Sequence, residues 1–383
     1  MKYKNMKKKI NYGSQFIDNQ DIKSVVKTLK EEKITTGKQV INFEKSISRF
    51  LKCKYSKTCN SGTSALFLAM LAIKVKQNDK IIMPVINFIA SYNVAKILGA
   101  QIFLADVDKN TGQMTPESIQ ECCKKFKLKR IKAIVTMYNT GYPQNAEKFK
   151  KLKSKLKCFI IEDACHALGA SYRVGKKNYM VGSCMHADIS TFSLHPLKTI
   201  TSGEGGIVTT NSRSIDSEII KYRSLGIERK KYYWKYDIYS PGLNFRLNDF
   251  QCALANSQLK KIKKFLNYRK LISKRYDEEL KKNKKYFTIT HQIKYNSSFH
   301  LYLFKIKNSS LEKKDRFIKY MQKNNIFLQY HYIPINKFKL FKGKYLSKNA
   351  DIYYKETVSL PIHYKLSKTD QNRIIKLIKQ YFS

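Results

Sequence analysis

The chain has 383 residues, 43% hydrophobic and 13% aromatic, which excludes a disordered polypeptide and leaves room for one large and one smaller domain. No apolar run approaches the ~20 residues of a membrane span, and none follows the basic N-terminus, so neither a membrane protein nor an exported one is expected. The net charge is +47, but the lysines are spread over every segment instead of gathering in a patch or arm. No specific nucleic-acid binding is expected from that pattern. A field of this sign still attracts anionic substrates, and duplex DNA without regard to sequence. Abundant Asn, Ile and Tyr share A/T-rich codons with Lys, so the charge reads as compositional. The eight cysteines show no C-x-x-C pair or zinc spacing, and the seven histidines no pair on one helical face. No metal site is expected, and the thiols read as reduced groups of a cytoplasmic protein.

In chain order, a basic arm over 1–16 leads into a helix expected over 18–32, with Ile22, Val25, Val26 and Leu29 at helical spacing. A turn over 34–38 and a second amphipathic helix over 40–50 follow. Short β-branched runs at 81–85, 101–105, 132–137 and 158–162 then alternate with helical stretches at 88–98, 116–126 and 146–156. That alternation predicts a mainly parallel sheet covered on both faces, which binds its ligand at the carboxyl ends of the strands. Further strands are expected at 189–194 and 207–210, a helix at 214–224, an aromatic loop at 230–237 and a long helix at 250–280. The remainder predicts strands at 287–289, 300–306 and 327–330 with helices at 311–323 and 368–381.

Three stretches carry chemistry. In the first, Asn60, Ser61 and Thr63 are candidate caps of a helix, and Gly62 lets an anion approach free backbone N–H groups. An ordinary capped helix has the same pattern. In the second, Glu162 and Asp163 end an apolar strand, where two carboxylates require partners. Asp163 suits either a turn cap or a pyridinium nitrogen, which an ionised carboxylate keeps protonated. His166 is either a satisfied core histidine or a donor to a cofactor oxygen. The third stretch places Lys198 in a polar turn beside Ser193, His195 and Pro196, with no charged neighbour until Glu204. A lysine in such a turn is either solvated or dry enough to lose its proton and attack a carbonyl.

The strings Ser-x-His-x-x-Lys ending at Lys198, Gly-Glu-Gly-Gly at 203–206, Asn-Ser-Gly-Thr at 60–63, Glu-Asp-Ala-Cys-His-Ala at 162–167 and Asn-Phe-Arg-Leu at 244–247 together resemble the DegT/DnrJ/StrS-type sugar aminotransferases. The resemblance covers almost the whole chain and is weakest over 1–12. It implies an α/β protein with the type I fold of pyridoxal-phosphate-dependent transferases. A large domain over 1–255 would include the arm and bind the cofactor, and a smaller α+β domain would span 256–383. Lys198 would then carry pyridoxal 5'-phosphate and shuttle protons, with Gly62, Thr63 and Ser193 on its phosphate and Asp163 on its ring nitrogen. His166 would serve its phenolic oxygen and Phe88 would stack on its ring. The family further implies a homodimer with shared active sites, in which Asn244 reaches the partner's cofactor phosphate and Arg246 binds an anion or stays structural.

The runs His-Leu-Tyr at 300–302 and His-Tyr-x-Pro-Ile from His331 and Tyr332 look most like aminotransferases of the pseudaminic acid pathway. Those act on UDP-linked 4-keto-6-deoxy hexosamines, so amination at C4 with glutamate as donor is the expected activity. A GDP-perosamine type of aminotransferase is the alternative within the family. A sugar 3-dehydratase is disfavoured by Lys198, which histidine replaces in those enzymes. A non-catalytic, basic nucleic-acid-binding regulator is disfavoured by the intact set of Thr63, Asp163, Ser193 and Lys198.

Overall fold

The computed structural model describes residues 8–232, 234–281 and 295–383, together with the backbone of 287–289. Tyr233 and residues 1–7 of the basic arm lie outside the described residues. Two helices open the chain, α1 (Asn19–Leu29) and α2 (Lys38–Leu51). An alternation follows: β1 (Tyr55–Cys59), α3 (Gly62–Ala72), β2 (Lys80–Pro84), α4 (Ala90–Ile97), β3 (Gln101–Ala105), α5 (Pro116–Lys125), β4 (Ile131–Met137), α6 (Ala146–Leu156) and β5 (Phe159–Asp163). A hairpin of β6 (Ser171–Val174) and β7 (Lys177–Met180) precedes β8 (Ile189–Ser193), β9 (Gly206–Thr210) and α7 (Arg213–Arg223). A second hairpin, β10 (Ile227–Arg229) and β11 (Tyr236–Ile238), leads to α8 (Asp249–Lys260) and α9 (Ile262–Leu280). The chain finishes with β12 (Phe287–Ile289), β13 (Tyr302–Ile306), α10 (Leu311–Lys323), β14 (Lys344–Tyr345), α11 (Lys348–Glu356), β15 (Thr357–Leu360) and α12 (Lys368–Phe382).

The large sheet runs β1-β9-β8-β5-β4-β2-β3-β14. Only β9 is antiparallel to its neighbours. Its strands sort their side chains with period two, as a doubly covered sheet requires. Ile81, Met83, Ile161 and Ile189 face one core with residues of α3, α4 and α7. Ile82, Ile134 and Ile160 face the opposite side, against Ile119 of α5 and Phe149 and Leu152 of α6. Because the strands from β2 to β5 and β8 share one direction, their carboxyl ends open on one edge. Asp163 and Ser193, the last residues of β5 and β8, both stand there.

The antiparallel sheet β12-β13-β15 builds a second core with α9, α10 and α12, to which Ile10 of the arm also belongs. The junction expected at 255 falls inside α8, and β14 returns from the C-terminal part to pair with β3. No described helix is long and apolar enough to cross a membrane. All eight cysteines are free thiols. Among the described residues no three His, Cys, Asp or Glu side chains are grouped to hold a metal.

The helix expected over 18–32 forms as α1 but is seated in an unforeseen way, and two further expectations need correction. The apolar stripe of α1 does not enter the core: Ile22, Val26 and Leu29 remain 53%, 47% and 53% exposed. A polar anchor seats the helix instead. Buried Asp21 accepts from Ser257 Oγ (2.6 Å) and Gln258 Nε2 (2.6 Å) and pairs with Lys261 (2.7 Å). The helix expected over 250–280 is two helices that part at Lys261, whose ammonium is drawn to Asp18 and Asp21. The strand expected over 327–330 forms no ladder because its partner changes midway. Phe327 N–H donates to Ile10 C=O (2.8 Å) of the arm, whereas Gln329 exchanges backbone bonds with Ser359 of β15.

Candidate active site

A cavity of about 510 Å³ opens at the carboxyl edge of the large sheet. Its walls come from the first turn of α3, the ends of β5 and β8, the turn after β8, and the segment 329–333 of the C-terminal part. Gly62, Thr63, Phe88, Asp163, His166, Ser193, Lys198, His331 and Tyr332 all line it. Nine of the residues expected from sequence therefore converge, although they span Gly62 to Tyr332 in the chain.

The anion cradle is built by the entry into α3. Ser61 caps the helix by accepting the Ser64 N–H (3.0 Å), and Asn60 N–H is fixed on Phe245 C=O (2.8 Å). The N–H groups of Gly62 and Thr63 meet no acceptor among the described residues and lie at the positive end of the helix dipole. Ser193 closes the cradle so tightly that a Cβ on Gly62 would stand 2.8 Å from Ser193 Cβ. Glycine is needed here for close approach, since two carbons cannot come that near without displacement.

The two carboxylates ending β5 point to different fates. Glu162 is satisfied within the protein, accepting from Tyr138 Oη (2.6 Å) and Ser190 Oγ (2.5 Å). Asp163 faces the cavity and accepts from Cys165 N–H (3.2 Å), with no cation at ion-pair distance among the described residues. Burial pushes its pKa up, while Cys165 and the more distant Lys198 pull it down. A cationic ring nitrogen would supply the partner that this carboxylate lacks.

Lys198 sits in the turn closed by its own N–H on His195 C=O (2.9 Å). Desolvation lowers its pKa below the ordinary lysine value, against the opposing pull of Cys165 and Asp163. Its side-chain nitrogen has no hydrogen-bond or ion-pair partner among the described residues, so once it is deprotonated no neighbouring donor competes for its lone pair. His166 lies behind it with Nε2 2.8 Å from Tyr332 Oη, while its buried Nδ1 has no partner among the described residues. Burial, reinforced by Lys198, keeps the His166 ring neutral. Tyr332 stacks on that ring (centroids 5.9 Å apart), and Phe88, 53% exposed, stands 5.9 Å from Tyr332 at the cavity edge. The set holds a free anion cradle, an unpaired carboxylate, an unpaired imidazole nitrogen and a desolvated amine. It fits a flat, phosphate-bearing aromatic aldehyde.

Asn244 and Arg246 do not enter this cavity. Asn244 is exposed, its C=O accepting Asn60 Nδ2 (3.3 Å) and its Oδ1 the Arg246 N–H (3.4 Å). Both therefore lie on the outer side of the cradle loop. Tyr232 and Trp234, stacked 5.1 Å apart, are likewise exposed and away from the cavity.

The chain matches the model of the DegT/DnrJ/EryC1/StrS aminotransferase family over residues 15–379. It belongs to this family. It is 36% identical over 364 residues, 94% of each chain, to a UDP-4-amino-4,6-dideoxy-N-acetyl-beta-L-altrosamine transaminase of Campylobacter jejuni. Among solved structures it is similar to PseC of Helicobacter pylori, an aminotransferase involved in the biosynthesis of pseudoaminic acid. There the TM-score is 0.89 at 31% identity, over 98% of this chain and 99% of the other. It also resembles the PLP-form of a putative sugar aminotransferase, Spr1654 of Streptococcus pneumoniae (TM-score 0.87, 25% identity, 97% and 98% of the two chains). The type I transferase fold expected from the sequence is the fold observed.

Several lining residues of this aminotransferase were not assigned from sequence: Tyr12, Cys165, His195, Glu204, His300 and Tyr330. Cys165, His195, Glu204 and His300 stand inside the motif strings, so the motifs point at them without giving a role. Tyr12 had no local signal. Its place depends on the arm, whose Ile10 pairs with the backbone of Asn325 and Phe327 and brings the Tyr12 ring 5.2 Å from His331.

Proposed function

We propose that the protein uses pyridoxal 5'-phosphate to transfer an amino group, with glutamate as donor, to C4 of a UDP-linked 4-keto-6-deoxy-N-acetylhexosamine. The observation that carries this is the convergence of desolvated Lys198, unpaired Asp163 and the free first-turn amides of Gly62 and Thr63 on one cavity. Bound there, the cofactor would supply an aldehyde carbon to take up the amino group between donor and acceptor, and an electron sink for the accompanying proton transfers.

Around it, Gly62, Thr63 and Ser193 hold the phosphate, and Asp163 keeps the ring nitrogen protonated. His166 donates to the phenolic oxygen and Phe88 covers the ring face. Lys198 carries the cofactor and, when displaced, moves protons between donor or sugar carbon and its own nitrogen. His331 and Tyr332 face the sugar from the C-terminal domain (256–383), while the domain over 1–255 holds the cofactor. The second subunit of a homodimer supplies Asn244 to the phosphate and Arg246 to the substrate anion. Three aliphatic residues of α1 left half exposed forgo part of the ~1.5–3 kcal/mol that each contributes on full burial. A partner surface recovers that, and the exposed Trp234, Ile238 and Leu243 suit the same use.

The cradle makes a direct prediction. Gly62→Val should retain the fold, because α3 stays capped by Ser61, but weaken cofactor binding by at least about tenfold by displacing Ser193. Fluorescence titration of apoprotein with pyridoxal phosphate measures this, and unchanged affinity removes Gly62 from the cradle. The substrate assignment is tested by comparing a UDP-4-keto-6-deoxy-N-acetylhexosamine with a GDP-4-keto-6-deoxyhexose under equal conditions. A pocket built to hydrogen-bond the N-acetyl group rejects a sugar without it by about 10⁴-fold, since its polar partners stay unpaired. Equal or faster turnover of the GDP sugar overturns the UDP assignment and leaves the aminotransferase chemistry standing.

A further inference from the structure

Among the described residues two lysines are buried, Lys305 and Lys314. Lys305 is paired with Glu356 (3.1 Å). Lys314, on α10 and 0% exposed, meets no carboxylate at ion-pair distance among the described residues. Its ammonium instead lies 4.2 Å from the centre of the Tyr330 ring and 4.3 Å from that of Tyr354. It donates to the carbonyls of Tyr354 and Thr357 (3.4 Å for the latter), which close the end of α11. The next residue, Asp315, accepts a hydrogen bond from the Tyr330 hydroxyl. One turn of α10 thus grips Tyr330 at both its ring and its hydroxyl.

Tyr330 lines the active cavity, and its neighbours are fixed from the same side. Gln329 exchanges backbone bonds with Ser359 (2.9 and 3.4 Å), His331 Nδ1 lies 2.8 Å from Ser359 Oγ, and Tyr353 Oη donates to His331 C=O (2.8 Å). Tyr330 itself is held by the Asp315 bond and by the Lys314 contact, and the attraction in the latter requires the charged form of the lysine.

We propose that Lys314 is a positioning residue for the nucleotide-sugar side of the cavity: its charge, held between Tyr330 and Tyr354, keeps the Tyr330 ring in the wall and makes nucleotide-sugar binding depend on pH. The proposal rests on the reading that segment 329–333 faces the nucleotide sugar. The attraction between a cation and a ring face exists only for the charged form and strengthens where water is excluded. Burial pulls the Lys314 pKa down to about 7, against an upward pull from Asp315. Below that pH the ring is gripped by the charge; above it Tyr330 loses that attraction and keeps its bond to Asp315 and its edge contact with the Tyr354 ring.

The groups around Lys314 do not compete in this range. Burial and Asp315 hold the Tyr330 hydroxyl well above its usual pKa, and burial raises that of Tyr354, with Lys337 opposing. Burial also keeps neighbouring His331 down at about 3. The Lys305–Glu356 pair beside the end of α11 is compensated internally.

The test is calorimetric titration of the holoenzyme with UDP-N-acetylglucosamine between pH 6 and 8.5. Wild-type affinity should fall about tenfold across a midpoint near 7. Lys314→Met should bind at the weak value at every pH. Lys314→Arg, whose charge persists throughout, should hold the tight value and restore binding at high pH. Tyr330→Leu, with Lys314 intact, should also lose the pH dependence, which guards against a Lys314 variant that folds poorly. A wild-type slope retained in Lys314→Met, or no slope in the wild type, overturns the proposal. Absence of any binding by the wild type sinks the nucleotide-sugar reading and the clamp together, whereas binding without a slope sinks the clamp alone. The colour change on adding glutamate alone, followed in the same preparations, should be the same in the wild type and both Lys314 variants, because α10 does not line the cavity that holds Lys198.

Discussion

Lys198→Ala should abolish turnover, lowering it by at least about 10⁴-fold, while leaving the fold and its thermal transition in place. The size follows from the double duty of the residue. In the proposed mechanism it both carries the cofactor and moves the protons, and no other lysine among the described residues lines the cavity to replace it. The retained fold follows from what the amine lacks. It makes no hydrogen bond or ion pair among the described residues, and desolvation disfavours its charged form, so truncation removes a burden more than a support. Two measurements check this: circular dichroism for the fold, and borohydride reduction of wild-type holoenzyme followed by peptide mapping. The pyridoxyl group should appear on Lys198. An adduct on any other lysine overturns the assignment.

The depressed pKa gives the same experiment a pH arm. A lysine whose pKa is lowered in the folded state is deprotonated at lower pH than a free one. Capture of the cofactor aldehyde by apoprotein should therefore proceed near neutral pH and slow as the pH falls, when the amine is recharged.

What was legible in the sequence is the local part of this architecture. The alternation of short β-branched runs with helical stretches predicts the parallel sheet, and the carboxyl-edge rule places the ends of its strands, where Asp163 and Ser193 stand, on one rim. Gly62 was legible because close approach demands a particular residue type. The illegible parts are those decided by distant partners. The α1 stripe of Ile22, Val26 and Leu29 looks like a core face, yet Asp21, polar and buried, is what seats the helix. Helix α11 escaped notice because its first amides are capped by Asp106 (2.8 and 2.9 Å), some 240 residues earlier in the chain. The sequence predicts helix α2 but not its start two residues before 40: it begins after a bare Gly37, where Asp249 accepts from the N–H groups of Gly37 (2.7 Å) and Gln39 (2.8 Å). The break at Lys261 has no glycine or proline to announce it. Tyr12 reaches the cavity only because the arm lies along residues 325–327. In each case the deciding interaction joins segments that no window of sequence contains.

Asn244 poses the sharpest remaining question of the same kind, and mixing two inactive chains answers it. In the folded chain Asn244 is exposed, bound through its carbonyl to the outer side of the cradle loop and absent from the cavity beside it. A residue so placed contributes either nothing to the site or something to the site of a neighbour. If it serves the neighbour, Lys198→Ala and Asn244→Ala chains are each inactive alone. A mixed dimer then contains one site carrying both defects and one carrying neither. Equal random mixing makes half the dimers mixed, so about a quarter of wild-type activity should return. If Asn244 instead served its own chain, every site in every dimer would keep one defect and none would recover. Co-expression with two different affinity tags isolates the mixed species, and its activity per dimer should be about half that of the wild type. A mixed dimer as inactive as its parents, or a fully active monomer in sedimentation, overturns the shared site.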